Sequence, residues 1–231
     1  MSDTKIPWAE KSWNVVTGCS PELPCYARCY ARKMALRLAG RFGYRKNEPF
    51  NPTFHEDKLG EVERWRKPCR VFVSSMGDIF NDFVPFTWRD RVFAVASCNP
   101  QHTYIVLTKR PENALSWTKH TDLGWRNGWP DNVWFGISAE DQAAYDERWN
   151  IATHVPATTL IASIEPMLGP VTLENGMAYP EWVICGPETG QGARPYDLAW
   201  NINLAEECAE HHIPYFDKQE NPTRREYPYD N

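Results

Sequence analysis

Residues 69–78 read Cys-Arg-Val-Phe-Val-Ser-Ser-Met-Gly-Asp, a β-prone apolar run that ends in a polar segment. Val71, Phe72 and Val73 predict a short buried strand, and the Ser, Gly and Asp residues after it predict a loop. A segment with helical periodicity follows at 88–96. The same order of apolar strand, polar loop and helix recurs along the chain, and this repetition decides the fold class.

Seven segments are predicted as strands, and most of them are separated by predicted helices. The predicted strands are 13–16, 69–75, 102–108, 132–138, 158–164, 182–185 and 213–217. The predicted helices are 30–38, 88–96, 111–117, 139–151 and 198–210, with a short one at 58–66. Apolar strands that alternate with helices are typical of a parallel sheet buried on both faces. The prediction is an α/β fold, either a partial or complete TIM-like (βα) barrel or an open doubly wound sheet.

Reactive side chains follow almost every predicted strand. In a βα barrel the active site is built from the carboxyl ends of the strands, so this pattern favours the barrel over the open sheet. The residues expected to converge there are Ser74, Ser75, Asp78, Lys109, Arg110, Ser138, Glu140, Asp141, Ser163, Glu165, Glu188, Asp217, Lys218 and Gln219. Lys109 and Arg110 would meet an anionic group, whereas Asp78, Glu165 and Glu188 would accept hydrogen bonds from amino or hydroxyl groups.

These side chains also have structural interpretations. Asp78 is a candidate cap for the helix that follows it, and Ser138 is a candidate N-cap with Asp141 three residues later. Lys109 and Arg110 fit a solvated pair equally well. The segment 186–192 is rich in glycine, which allows close backbone approach to a ligand, but it lacks the spacing of a dinucleotide fingerprint or a P-loop.

Three of the seven cysteines, Cys19, Cys25 and Cys29, lie within eleven residues between the first predicted strand and the first predicted helix. Thr17-Gly18 predicts the turn into this loop. Three thiolates on one loop can hold a metal ion or an iron–sulfur cluster and leave one coordination position open. The other cysteines fall in predicted strands or helices and are expected to be buried, inert thiols: Cys69, Cys98, Cys185 and Cys208.

The length of 231 residues and the ordinary composition predict one α/β domain over 1–231, with 1–12 as a peripheral lead-in and 220–231 as a peripheral tail. Eleven tryptophans and ten tyrosines are expected to line a groove as well as a core. No stretch has the apolar length of a membrane span, and the start lacks a signal-peptide pattern, so a cytoplasmic protein with reduced cysteines is expected.

The net charge of −5 excludes nucleic-acid binding that is driven by overall charge. A local basic run over 30–45 is the exception. It predicts either a solvated helix face followed by a loop or a surface that faces phosphate. The run contains Arg32, Lys33, Arg37, Arg41 and Arg45.

Together these residues resemble a family of phage and prophage proteins of unknown function that is similar to radical S-adenosylmethionine enzymes. The landmarks of the resemblance run in order from about residue 13 to residue 219. They are 13–19, 29–31, 72–80, 101–103, 107–111, 133–138, 140–142, 165–170, 186–195 and 216–219.

The resemblance implies a partial barrel in which Cys19, Cys25 and Cys29 bind a four-iron, four-sulfur (4Fe-4S) cluster, with S-adenosylmethionine on the open iron. An electron donor would then allow cleavage to a 5′-deoxyadenosyl radical that abstracts hydrogen from the substrate. The phage context of the family implies a nucleic acid or a nucleotide as the substrate. Trp and Tyr rings at the entrance would suit such a substrate, because a base can stack on them. The candidate contacts to cofactor or substrate are Ser75, Asp78, Lys109, Glu165 and Glu188.

The cysteine spacing differs from the C-x3-C-x2-C spacing that is usual in that superfamily. Here five residues separate Cys19 from Cys25, and three separate Cys25 from Cys29. Arg28 stands where an aromatic residue commonly precedes the last cysteine. The longer first gap is a change in loop length, and the second gap leaves Cys25 and Cys29 one helical turn apart, where they can share a face.

Two non-redox alternatives remain open at this point. In the first, the three cysteines and a histidine, His55 or His102, close a structural zinc site in a binding protein. In the second, a barrel without metal acts as a phage interaction protein.

Overall fold

Seven parallel strands pair side by side in chain order in a computed structural model that describes residues 4–21, 24–125, 128–190, 192–219, 222 and 224–229. These strands are β1 (Lys11–Trp13), β4 (Arg70–Val73), β5 (Thr103–Thr108), β6 (Val133–Ala139), β7 (Leu160–Ile164), β8 (Trp182–Cys185) and β9 (Tyr215–Asp217). The numbering also counts β2 (Val16–Thr17) and β3 (Thr53–Phe54), which form a separate antiparallel pair.

The strand order runs from β1 to β9 without reversal, so the sheet curls into a half-barrel. A doubly wound sheet would reverse its order at a switch point, and no such point exists among the paired strands described. The predicted α/β class and the partial barrel are therefore confirmed. Each strand is joined to its neighbour by a crossover that returns the chain to the same end of the sheet.

Within the described residues, five α-helices and two 3₁₀ segments lie in these connections. They are α1 (Tyr30–Arg37), α2 (Phe86–Cys98), α3 (Pro111–His120), α4 (Gln142–Ala152) and α5 (Leu198–Glu210), with 3₁₀ segments at Pro24–Arg28 and Glu56–Arg64.

The capping residues of α4 differ from the sequence-based interpretation. The Asp141 carboxylate, and not the Ser138 hydroxyl, caps α4 by accepting from the Ala144 amide at 2.9 Å. Ser138 belongs to β6, whose pairing with β7 continues to Ala139. The hydrogen bonds of the parallel ladder therefore hold Ser138 in extended backbone, and the helix begins three residues later than predicted.

Alternate residues of the strands face two different cores. Val71 and Val73 belong to the large core between the sheet and the helices, whereas Phe72 contacts the core on the inner face of the half-barrel. The inner core consists of Trp8, Ala9, Ile105, Trp134, Ile161, Trp182, Ile184 and Phe216. Most tryptophans are buried in one of these cores, as expected for the core part of the aromatic prediction.

The lead-in and the tail are not peripheral, contrary to the sequence-based expectation. Trp8 is only 1% exposed, and its ring lies 4.7 Å from that of Phe72 and 6.2 Å from that of Trp182. The Tyr227 ring lies 5.3 Å from that of Phe216. Trp8 and Tyr227 therefore cover aromatic residues of the half-barrel's inner face that would otherwise be exposed to water.

Other differences are local. The first strand ends at Trp13 rather than beginning there, because Val16 pairs with Phe54 in the small antiparallel sheet. Cys98 is exposed and Cys69 is half-buried, so only Cys185 and Cys208 are the buried thiols that were expected. Among the helices in the described part of the chain, none is long and apolar enough to cross a bilayer.

We expect Trp8→Ala to lower the free energy of unfolding by about 3–5 kcal/mol, because it empties the centre of the inner core. Trp8→Phe should cost much less, since the Trp8 indole N–H has no hydrogen-bond acceptor among the described residues. Urea denaturation measures both. The matched control is Phe83→Ala, which removes an aromatic ring that is 63% exposed and should change stability by less than about 0.5 kcal/mol. Equal losses in Trp8→Ala and Phe83→Ala would contradict the assignment.

A candidate metal and cofactor site at the mouth of the half-barrel

The carboxyl ends of the parallel strands form one edge of the half-barrel, which we call the mouth. It carries the sequence-predicted residues Ser75, Asp78, Lys109, Glu165 and Glu188, and the cysteine loop (residues 18–29) follows β2 at the same edge. The inner-face positions near this edge are small, Gly136, Ser138 and Ser163, in contrast to the tryptophans at the other end.

Backbone contacts fix the start of the cysteine loop against the loop after β4. The Gly18 amide donates to the Met76 carbonyl at 3.0 Å, and the Asp78 amide donates to the Gly18 carbonyl at 3.3 Å. Gly18 has a φ of +92°, and a Cβ there would lie 2.4 Å from the Asn51 carbonyl oxygen. Gly18 is therefore required in the predicted turn at 17–18 for two reasons: a side chain would clash with Asn51, and the positive φ is unfavourable for other residues.

Cys19 lies in a buried polar setting. Asn81 Nδ2 and Arg110 Nη1 each lie 3.5 Å from Cys19 Sγ, and Arg110 Nη2 donates to Ser20 Oγ at 2.7 Å. Burial raises the pKa of the Cys19 thiol to about 11, the charge of Asp78 adds to this, and Arg110 opposes it. The thiol is protonated at neutral pH, so a metal that binds here must displace the proton.

Asp78 holds the loops after β4 and β5 together. Its carboxylate accepts from Thr108 Oγ1 at 2.9 Å, from the Lys109 amide at 3.2 Å and from the Phe80 amide at 2.9 Å. The Arg110 guanidinium lies 3.8 Å away. Asp78 does not cap a helix, because α2 begins only at Phe86 and its N-cap is Pro85. Both carboxylate oxygens of Asp78 therefore accept hydrogen bonds from other groups of the protein.

Glu140 is the centre of a second charged group. It accepts from Lys109 Nζ at 2.6 Å and from Arg148 Nη1 at 2.8 Å, and Arg148 also donates to the Ser138 carbonyl at 2.6 Å. Burial alone would raise the pKa of Glu140, but the hydrogen bonds from Arg148 and Lys109 outweigh it and hold the pKa at about 2. Lys109 is thus paired within the protein rather than being a solvated cation.

The remaining carboxylates of the mouth are also paired with cations. Lys218 pairs with Glu165, and Arg194 forms a bidentate pair with Glu188 at 2.7 and 3.0 Å. Hydrogen bonds from Arg194 lower the pKa of Glu188 well below its usual range. Arg28, in the cysteine loop, donates to the Gly192 carbonyl at 2.7 Å. The glycine-rich loop after β8 is therefore in contact with the cysteine loop.

Ser75 is held by groups that the sequence did not single out. Its hydroxyl donates to Asn14 Oδ1 at 3.2 Å, and the Tyr30 hydroxyl donates to its carbonyl oxygen. Asn14, Arg148 and Arg194 are the supporting residues missed by sequence reasoning. Asn14 and Arg194 lie inside the landmark segments 13–19 and 186–195, whereas Arg148 had no sequence signal.

The three cysteines provide the donor chemistry that an iron–sulfur cluster needs. All are free thiols of intermediate exposure; Cys25 lies in the 3₁₀ segment and Cys29 is the N-cap of α1. Cys19 and Cys29 border the same small apolar cluster. Burial raises the pKa of Cys25, and the neighbouring Cys29 adds to this. Thiolates on a loop fit the group, but among the described residues no three His, Cys, Asp or Glu side chains are already arranged around a metal.

The histidines proposed for a zinc site are engaged elsewhere. His102 Nδ1 lies 3.3 Å from Cys69 Sγ before the start of β5, at the opposite end of the sheet from the cysteine loop, so its assignment as a fourth ligand is wrong. His55 Nε2 lies 2.7 Å from Thr17 Oγ1, and burial lowers its pKa to about 4. Neither histidine joins the cysteines in a ligand group among the described residues.

The ion pairs of Glu140 with Lys109 and Arg148 should raise the free energy of unfolding, and this contribution should be lost in acid. The pKa of this carboxyl falls from 4.5 to about 2 on folding, so its contribution, about 3 kcal/mol, is present above pH 4.5 and lost as the pH falls toward 2. Urea unfolding of Glu140→Gln should show a deficit of this order at pH 6 that narrows at lower pH. Glu210→Gln, at the exposed end of α5, is the control. A deficit independent of pH would contradict the assignment.

Spore photoproduct lyases are among the solved structures that share this fold. A cysteine-to-serine variant matches with a TM-score of 0.58 and 11% identity, covering 94% of this chain and 78% of that chain. A spore photoproduct lyase complexed with dinucleoside spore photoproduct matches with a TM-score of 0.52 and 10% identity, covering 96% of this chain and 64% of that chain. A double variant with bound AdoMet (S-adenosylmethionine) and dinucleoside spore photoproduct gives 0.53 and 11%, with coverages of 96% and 64%.

At these identities the likeness shows a shared fold. No curated protein sequence matches the chain significantly. Over residues 3–226 the sequence matches the family model described as a protein of unknown function, DUF5131, and the chain therefore belongs to that family.

Proposed function

We propose that the protein is a radical S-adenosylmethionine enzyme in which Cys19, Cys25 and Cys29 hold a 4Fe-4S cluster. The observation that supports this most directly is the place of the three thiols. They lie on the loop at the carboxyl edge of a half-barrel, beside the polar ends of the other strands. The fold is shared with a spore photoproduct lyase solved with bound AdoMet.

Such a cluster, with one iron open to S-adenosylmethionine, would supply the electron that cleaves this cofactor. The chain's own residues prepare the ligands. Arg110 faces Cys19 Sγ and lowers the cost of its thiolate, which burial makes high. Arg28 holds the loop between Cys25 and Cys29 against Gly192. Cluster binding would draw the three sulfurs together, since no three ligand side chains among the described residues are already arranged around a metal.

The polar residues of the mouth would recognise the cofactor and the substrate. Glu165 and Glu188 suit the amino group or the ribose hydroxyls of S-adenosylmethionine, since carboxylates accept such hydrogen bonds. Lys109 would exchange part of its pairing with Glu140 for a ligand carboxylate. Ser75 offers a hydroxyl beside the cysteine loop. Asp78, which is buried and fully engaged, would position the Thr108–Arg110 segment rather than contact the ligand.

A nucleic acid or nucleotide is the substrate class that we propose. A structure of the same fold that is complexed with dinucleoside spore photoproduct supports this class. The reaction requires an external electron donor, and the reduced thiols require the reducing conditions of the cytoplasm.

Anaerobic iron–sulfur reconstitution tests the proposal. We expect a brown protein that releases 5′-deoxyadenosine from S-adenosylmethionine when a reductant is added. Cys29→Ser should abolish both the colour and the product, because three thiolates are the minimum set for such a cluster. The control is Cys98→Ser, which removes an exposed thiol on α2 and should leave both unchanged.

Two results would contradict the proposal. One is a full cluster signal in Cys29→Ser, and the other is wild-type protein that binds no iron. A colourless wild-type protein whose stability is unchanged by a chelator would favour the metal-free interaction protein, and one bound zinc ion per chain would favour a structural site.

A further inference from the structure

The segment 23–47 carries seven cations and no carboxylate, in a chain whose net charge is −5. Six of the cations lie on α1 and in the loop 38–46 that follows it, and we call this region the cationic surface. They are Arg32, Lys33, Arg37, Arg41, Arg45 and Lys46. All except Arg32 are exposed. The positive charge that the whole chain lacks is concentrated in one place.

The cationic surface has no acidic partners within the described part of the chain. An exposed cation elsewhere can be paired, as Arg91 Nη2 is with Glu56 Oε1 at 2.5 Å. In contrast, Arg41 donates only to the Arg37 carbonyl, and the Arg32 guanidinium lies 4.8 Å from the centre of the Tyr26 ring. Neighbouring unpaired cations repel one another, so this surface favours a polyanion with several regularly spaced charges.

Exposed rings and apolar groups are interspersed with these cations. Phe42 is 75% exposed and stands between Arg41 and Gly43, and Tyr30 is 59% exposed. The φ of Phe42 is +53°, an unfavourable backbone conformation for a bulky residue. The backbone of Phe42 adopts this conformation although its ring is not buried in return. Exposed aromatic rings beside cations are what single-stranded nucleic acids use, since bases stack on the rings while phosphates meet the cations.

The cationic surface is continuous with the cysteine loop. Tyr44 and Leu38 pack into the same apolar cluster as Cys19 and Cys29. Tyr26, under the Arg32 guanidinium, directly follows Cys25. A nucleic-acid strand bound along α1 would therefore lie next to Cys29, the N-cap of that helix.

We propose that the cationic surface binds the backbone of a single-stranded nucleic acid and leads it to the mouth. This inference deepens the proposed function and depends on it only for identifying the bound strand as the substrate. An anionic membrane fits less well. A helix that lies on a membrane separates its apolar face from its cations, whereas here they are mixed and Ala31 and Ala35 are already buried against the protein.

The test is fluorescence anisotropy of a labelled single-stranded oligonucleotide of about 15 nucleotides, titrated with cluster-free protein at several salt concentrations. The variant Lys33→Gln/Arg37→Gln/Arg45→Gln removes three exposed cations that form no side-chain hydrogen bond or ion pair within the described residues. We expect binding at low salt to weaken at least tenfold and the salt slope of log Kd to fall by about 2, at about 0.7 for each lost phosphate contact.

The matched control is Arg64→Gln/Arg66→Gln/Lys67→Gln, which removes three exposed cations that precede β4 at the opposite end of the sheet. It should change Kd by less than about twofold, because distant charges are screened. Phe42→Ala should weaken binding about tenfold and leave the salt slope unchanged, since stacking is lost and no phosphate contact is removed.

Three results would overturn the inference: no oligonucleotide binding by wild-type protein, equal losses in the two triple variants, or binding only to anionic phospholipid vesicles. A second assay distinguishes failure of this inference from failure of the proposed function. It measures the 5′-deoxyadenosine that the reconstituted protein forms in the absence of nucleic acid, which depends on the cluster and not on the cationic surface. The Lys33/Arg37/Arg45 variant should retain that product. If wild-type protein makes no product but binds the oligonucleotide through this surface, the proposed chemistry fails and the binding site stands.

Discussion

Every neighbouring pair of strands in the main sheet is parallel, and this constraint dictates where apolar and polar residues can lie. Parallel strands require crossovers, and here helices in those crossovers bury the outer face. The inner face of a half-barrel has no such cover. It is filled at the amino-terminal end by Trp8, Trp134, Trp182 and Phe216. The polar loops, the small inner-face residues and the cysteine loop are left together at the carboxyl end.

Ion pairs and hydrogen bonds to charged groups hold the loops at the carboxyl end of the half-barrel together. Asp78 and Arg110 are both buried, so each would be costly without the other and its hydrogen bonds. Arg110 connects the loops that follow β2, β4 and β5, since it contacts Cys19, Asp82 and Ser20. Arg28 adds a contact to the loop after β8. The start and the end of the cysteine loop are therefore each held by a guanidinium group.

Local patterns were sufficient to predict most of the fold. The predicted bounds of β8 and α5 agree with the structure, because the apolar run of β8 ends at turn residues and Asp197 caps the start of α5. The position of the mouth residues followed from parallel topology. Trp8 was missed because it lies outside every predicted strand and helix, and the rings that bury it are distant in sequence. Arg148 was missed because its pairing with Glu140 depends on how α4 packs, which no local pattern specifies.

The central claim is that the cysteine loop holds a cluster whose open iron faces the mouth. Electron paramagnetic resonance of the reconstituted, reduced protein tests it most directly, because the spectrum reports the cluster and its open position together. The account predicts the signal of a reduced 4Fe-4S cluster that changes when S-adenosylmethionine is added. A signal that is indifferent to S-adenosylmethionine, or no signal from protein that is folded and fully loaded with iron, would contradict it.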